Sequence, residues 1–243
     1  MSRALTPLEK TLAEFPLKFA VAVLIAEPSR FDGDVRLTNG TATLVQFGRN
    51  RFAVTCSHVL EKYRRTPDAI LQIGNIKLDP TVQLVAEHPT ADLATIRISE
   101  SQAEGLTACD GMRAEFFQPT SWPPATVREN HCVALCGYPG KWRQRMSPEK
   151  IDFYGYSIGA TAVTSAGEDR FACLFERQRW VSSFRHELQD LEELGGMSGG
   201  PVFRLGYLQW ELVGFIYEFS PQYDIMFMRP AHMVHADGSI LWP

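Results

Sequence analysis

The chain has 243 residues, 45% of them hydrophobic and 21% charged, which excludes a disordered polypeptide and suits one large β domain or two small ones. A net charge of −4, from 28 acidic and 24 basic residues, lacks the basic excess of a general nucleic-acid binder, so no nucleic-acid partner is expected. Lys141, Arg143 and Arg145 form a short basic cluster that reads as a solvated loop.

Thr6, Pro7 and Glu9 make a T-x-x-E capping box with proline at the first helical position, so a short helix is expected within residues 1–18. Residues 19–26 (FAVAVLIA) follow a weakly basic lead-in and are too few to span a bilayer; they read as the first buried strand rather than as a signal segment, with no membrane partner. Further strands are expected at 41–47, 51–56, 70–73, 82–86 and 93–98. Turn signals separate them: Asp32-Gly33, Asn39-Gly40, Gly48-Arg49-Asn50, Gly74-Asn75 and Asp79-Pro80. Residues 110–130, with Trp122, Pro123 and Pro124, lack periodicity and read as a connection between two halves. Strands resume near 131–137, 151–164, 171–175, 201–205, 208–219 and 224–228. Residues 182–193 (SSFRHELQDLEE) read as a short helix or a charged surface loop. The fold class is therefore all-β, with two six-stranded halves and a site between them.

Cysteines stand at 56, 109, 132, 136 and 173. An odd count without a CxxC pair speaks against a disulfide scaffold or a zinc knuckle, and for free thiols in a reducing, cytoplasmic setting.

The segment LGGMSGGPVF (194–203) surrounds Ser198 with glycines, which disfavours both helix and strand. It suits a tight loop whose backbone N–H groups can face the oxygen that becomes negative during acyl transfer; read blandly, it is a Gly-rich turn before a strand. A serine nucleophile needs a neighbouring base. FAVTCSHVL (52–60) brings His58 to a strand end, and ADLATI (91–96) sets Asp92 just before an apolar strand, where it can fix an imidazole tautomer. Each residue alone is ordinary; their order together carries the signal.

VTCSHVL, ADLATI and GMSGGPV resemble the histidine, aspartate and nucleophile motifs of chymotrypsin-fold serine proteases, in that family's chain order. GTATLVQF (40–47) and LCGYPG (135–140) are similar to segments of the bacterial trypsin-like, HtrA-type branch, and LVGFIY (212–217) resembles the strand that binds substrate backbone. The similarity runs from about residue 19 to 235, with no PDZ-sized extension after it. It implies two six-stranded antiparallel β-barrels in one peptidase unit: lead-in 1–18, first barrel 19–110, connection 111–130, second barrel and tail 131–243. It also implies that His58 is general base and then acid, that Asp92 orients it, that Ser198 attacks, and that the amides of Gly196 and Ser198 form the oxyanion hole.

Departures narrow this picture. Met197 replaces the aspartate that pairs with a new N-terminus in digestive relatives, so activation by N-terminal cleavage is not expected. Val59 stands where animal relatives carry a half-cystine. Glu192 and Glu193 fall in the wall of the primary specificity pocket in a gap-free match; an acidic floor would favour Arg or Lys substrates, whereas the charged run HELQDLEE suggests a solvated loop. Tyr217, Glu218 and Phe219 are further substrate-binding candidates, the two aromatics suiting a shallow pocket. Cys56 reads as a packed thiol. No metal spacing such as HExxH occurs, and neither a metal nor another cofactor is expected. The expected function is a serine endopeptidase acting through an acyl-enzyme on protein or peptide substrates. Its substrate choice is narrow or governed by a regulatory protein partner, as in an effector of a bacterial stress or defence system. The alternative is a catalytically silent protein-binding module of the same fold.

Overall fold

The computed structural model describes residues 6–28, 35–107, 113–147, 150–176, 179–182, 194–206 and 209–242. The capping box forms: Glu9 N–H donates to Thr6 Oγ1 at 3.3 Å and Thr6 N–H to Glu9 Oε2 at 2.8 Å, starting helix α1 (Pro7–Glu14).

Strands β1 (Ala20–Pro28), β2 (Val35–Phe47) and β3 (Asn50–Thr55) lead into helix α2 (Ser57–Arg64). Then come β4 (Ile70–Ile73), β5 (Ile76–Leu78), the single turn α3 (Pro80–Gln83), β6 (Leu84–His88), β7 (Leu93–Arg97) and α4 (Glu100–Gly105). The seven strands form one antiparallel sheet in the order β5-β4-β1-β2-β3-β7-β6, curled into a half-barrel. The apolar run at 19–26 has a direct structural cause. Val21, Val23 and Ile25 of β1 face the core of this sheet, while Ala20, Ala22 and Leu24 pack against Cys136, Tyr138 and Phe153 of the second half. A strand buried on both faces reads as continuous apolar sequence rather than as alternation.

The second half holds β8 (Cys132–Gly137), a β9 (Arg143–Ser147) and β10 (Lys150–Phe153) hairpin, β11 (Tyr156–Ala166), β12 (Phe171–Leu174) and β13 (Val181–Ser182). After it follow β14 (Pro201–Leu205), β15 (Trp210–Ser220) and β16 (Ile225–Pro230). The order is β12-β16-β15-β14-β8-β11-β13, and an extra β11–β12 pairing closes six of these strands into a barrel. Between the halves lies an aromatic layer. Phe117 from the connection meets Phe203 of β14 at 4.9 Å and Phe19 at 5.4 Å between ring centroids, beside buried Phe52 and Phe215.

The expected all-β, two-barrel architecture with its N-terminal helix is present; the first sheet has seven strands, and the six-stranded closure belongs to the second. Asn39-Gly40 is not a turn: both residues lie inside β2, opposite Leu24 and Val23. The Asn39 side chain is buried and donates to the Tyr138 carbonyl at 2.7 Å, a tertiary partner that overrides its turn preference. The expected strand 151–164 is two strands, because the chain leaves β10 at Tyr154-Gly155 before β11 begins. The helix-or-loop reading of 182–193 falls almost wholly on 183–193, outside the described residues.

Candidate active site

His58 sits in the first turn of α2 rather than in a loop at a strand end. Cys56, the residue before the helix, offers no side-chain cap. The acceptor comes instead from 34 residues away: His58 N–H donates to Asp92 Oδ1 at 2.9 Å. A carboxylate at a helix N-terminus satisfies a free N–H and meets the positive end of the helix dipole. The other oxygen, Oδ2, lies 2.7 Å from His58 Nδ1. An ionised carboxylate can only accept, so Nδ1 carries the proton and Nε2 presents its lone pair. Glu87 of β6 secures the same helix, accepting from Ser57 Oγ at 2.6 Å and pairing with Arg64. Asp92 ends the turn between β6 and β7, in the left-handed region at φ +53°, with its side chain mostly shielded while half of the His58 side chain is exposed. Positive φ is uncommon outside glycine, with Asp and Asn among the tolerant types.

The serine loop is held from the first half by β2. Thr41 Oγ1 donates to the Gly196 carbonyl at 2.7 Å and accepts the Tyr138 N–H at 3.0 Å; Thr41 N–H donates to the Ser198 carbonyl at 2.9 Å. Thr43 Oγ1 donates to the Gly199 carbonyl at 2.8 Å. Both threonines are fully buried. The loop's course demands glycine at two places. Gly196 has φ +105°, and a Cβ there would lie 2.3 Å from Asn39 Nδ2; Gly199 has φ +92°, and a Cβ there would lie 2.0 Å from the Thr41 carbonyl oxygen.

In a trans peptide the C=O and N–H point in opposite directions. The Gly195 carbonyl accepts Gly140 N–H at 2.7 Å, which fixes the direction of the Gly196 N–H. The Met197 carbonyl accepts Gly200 N–H at 2.9 Å, which fixes that of Ser198. Neither the Gly196 nor the Ser198 amide donates to an acceptor among the described residues, so both are available to a developing oxyanion. The half-buried Ser198 hydroxyl donates to the Tyr217 carbonyl at 3.4 Å, and among the described residues it makes no hydrogen bond to His58.

Of the predicted substrate residues, Tyr217, Glu218 and Phe219 lie on β15 beside the serine. The β15–β16 register shifts between Ile216 and Glu218, leaving Tyr217 at a bulge. A bulge re-aims a side chain, and the Tyr217 ring is turned into the core cluster of the first half instead of lining an open pocket. Glu218 is exposed; Phe219 is half-buried, its ring 5.2 Å from that of Phe175. Glu192 and Glu193 lie outside the described residues.

Cys56 is fully buried and donates to the Ile216 carbonyl at 3.4 Å. Burial above all, and then the Asp92 charge, push its thiol well above the usual range. Donor atoms of Cys56, His58 and Asp92 lie within 4.8 Å of one another. As a metal set they are poorly disposed: the thiol holds its proton, and both Asp92 oxygens are engaged by His58. A cavity of about 500 Å³ beside Val127, Phe171 and His232 contains none of the predicted site residues. Among the described residues, no helix is long and apolar enough to cross a membrane.

The sequence motifs single out His58, Asp92 and Ser198 as candidates but miss the threonines that fasten the serine loop. A residue pair of the T-x-T kind in an alternating strand carries no local mark of the carbonyls it will meet across the interface.

Residues 40–215 match the trypsin-like peptidase domain. No curated protein matches the chain. Among solved structures, the crystal structure of the Rv3671c protease from M. tuberculosis, active form, is similar over 100% of this chain and 95% of its own length, with 14% identity and a TM-score of 0.48.

Proposed function

The chain belongs to the trypsin-like peptidase family and is a trypsin-like serine protease; from that premise we propose that it hydrolyses peptide bonds through His58, Asp92 and Ser198. The observation that carries this reading is the double grip of Asp92 on His58, at 2.9 Å to its backbone N–H and 2.7 Å to Nδ1. The grip leaves Nε2 as the base. Nε2 takes the Ser198 proton as Oγ bonds to the substrate carbonyl carbon, and the amides of Gly196 and Ser198 receive the oxyanion. The imidazolium then returns the proton to the departing amine as the C–N bond breaks. Water, deprotonated by the same nitrogen, releases the acyl group and restores the serine. Asp92 stays ionised throughout and stabilises the imidazolium.

Substrate backbone is taken up along β15. Its pairing with β14 ends at Phe215, and beyond the Ile216 contacts with Gly199 and Gly200 the edge at 218–220 can accept an added strand. Glu218 then offers charge to the substrate, and Phe219 narrows the primary pocket toward small side chains. The catalytic unit spans both halves, 19–110 and 131–243, joined by 111–130. Among the described residues, the cysteines at 56, 132, 136 and 173 are free thiols, which supports work in a reducing, cytoplasmic setting.

The Ser198 hydroxyl, turned to the Tyr217 carbonyl, supports regulated activity in which substrate or a regulatory protein partner turns it toward His58. That is the behaviour expected of a narrowly directed effector in a stress or defence response. The same rotamer favours the alternative, a catalytically silent protein-binding module. A digest of a native cell extract, which supplies protein substrates and partners together, separates them. Cleavage by the wild type and not by Ser198→Ala is expected; identical peptide profiles for the two, with a partner bound equally well by both, would establish the silent module.

A further inference from the structure

Arg229 interrupts an otherwise apolar strand, β16, and is buried at 8% exposure. A buried guanidinium is costly unless its donors are used. Here Nε donates to the Ala91 carbonyl at 2.7 Å, Nη2 to the Thr90 carbonyl at 3.1 Å and Nη1 to the Asp169 carbonyl at 3.0 Å, with Asp169 Oδ2 at 3.6 Å. The guanidinium carbon lies 4.1 Å from the Tyr217 ring centroid and 4.7 Å from that of Trp242. Both distances suit cation–π attraction.

The two carbonyls taken by Arg229 immediately precede Asp92. Ala91 is held from both sides, because its N–H donates to His88 Nδ1 at 3.1 Å, and the His88 ring stacks on Trp242 at 5.8 Å. The next residue, Asp92, turns into the left-handed region and sends both carboxylate oxygens to His58. Arg229 belongs to the second half of the fold, whereas Thr90, Ala91 and Asp92 belong to the first. One fork of donors thus sets the turn that carries Asp92 in register with β15, the strand that supplies the Tyr217 carbonyl to Ser198.

We propose that Arg229 is a positioning residue for Asp92, holding the Thr90 and Ala91 carbonyls so that the carboxylate meets the His58 amide and ring together. This rests on the reading of His58, Asp92 and Ser198 as the catalytic set. The test is the second-order rate of labelling by an alkyl fluorophosphonate, measured on the full chain for the wild type, Arg229→Gln, Arg229→Lys, Asp92→Asn and the Arg229→Gln/Asp92→Asn double variant. Arg229→Gln is expected to slow labelling by about 10–100-fold, the scale of a small misplacement of a catalytic group. Arg229→Lys, which keeps the charge but not the fork, recovers part of the loss. In the Asp92→Asn background the Arg229→Gln change is expected to cost less than about threefold, since residues acting as a unit are not additive.

A rate for Arg229→Gln within about twofold of the wild type would overturn the proposal, as would an equal loss in both backgrounds, which would mark a structural role alone. Where Arg229→Gln fails to fold, the same coupling measured with Arg229→Lys decides. Wild-type labelling by Asp92→Asn would instead overturn the catalytic reading beneath it.

Discussion

Replacing Thr41 by valine removes one hydroxyl and keeps the side-chain shape. That hydroxyl accepts the buried Tyr138 N–H at 3.0 Å and donates to the part-buried Gly196 carbonyl at 2.7 Å. Losing a hydrogen bond to a shielded backbone group costs about 1–3 kcal/mol, so the two lost here cost about 3 kcal/mol together after partial relaxation. For a chain of this size 1 kcal/mol corresponds to about 2–4 °C, which sets a fall in melting temperature of about 6–12 °C. Freeing the Gly196 carbonyl also loosens the amide run that faces the oxyanion. Fluorophosphonate labelling should slow by about tenfold, short of the 100–1000-fold cost of deleting a donor outright. Thr41→Ser, which keeps the hydroxyl, serves as control and should retain most of both properties. A valine variant that melts within about 2 °C of the wild type and labels at the same rate would show that the threonine does not fasten the loop.

Asp92→Asn should leave the backbone intact, because asparagine tolerates φ +53°, while labelling falls by roughly 10,000-fold through the wrong imidazole tautomer; unchanged labelling would remove Asp92 from the mechanism. Gly196→Ala forces a Cβ to 2.3 Å from Asn39 Nδ2 at φ +105°, so it should abolish labelling and lower the melting temperature, and a fully active alanine variant would show that the loop can take another course. Alkylation of the native protein should modify exposed Cys132 and spare Cys56, Cys136 and Cys173, whose thiols burial pushes up, that of Cys173 to about 12; peptide mapping that finds Cys56 modified as fast as Cys132 would contradict this. Partial desolvation holds the surface residue His232 below the ordinary imidazole range. The unfolded chain therefore takes up the proton first on acidification, and stability present above the unfolded value is lost as pH falls through the folded one. His232→Gln should flatten the acid side of the stability profile in urea melts, and an unchanged slope would assign that loss to other groups.

The motifs around His58, Asp92 and Ser198 were legible because each is short, local and tied to an element boundary. What they could not supply is the reason each boundary sits where it does. Helix α2 begins at Ser57 without a local cap, since its acceptor is Asp92, distant in sequence. Asn39-Gly40 carries a strong turn signature, yet its amide is satisfied across the interface and the strand runs on. The bulge at Tyr217 turns its ring into the core of the first half, a contact set by a register shift that strand alternation does not reveal. Arg229 did leave a mark, a lone charge among Met226, Phe227, Met228 and Pro230, but its partners are carbonyls, which no sequence pattern names. Strands β5 and β13 are too brief for periodicity to register, and β9 (RQRMS) is almost wholly exposed and carries no apolar pattern.

Mass-spectrometric mapping of the fluorophosphonate adduct on the full chain tests the catalytic reading most directly. A single phosphonylated residue, Ser198, in the wild type, and an unlabelled Ser198→Ala protein of the same melting temperature, are predicted. An adduct on another residue, or equal labelling of both proteins, would remove Ser198 as the nucleophile.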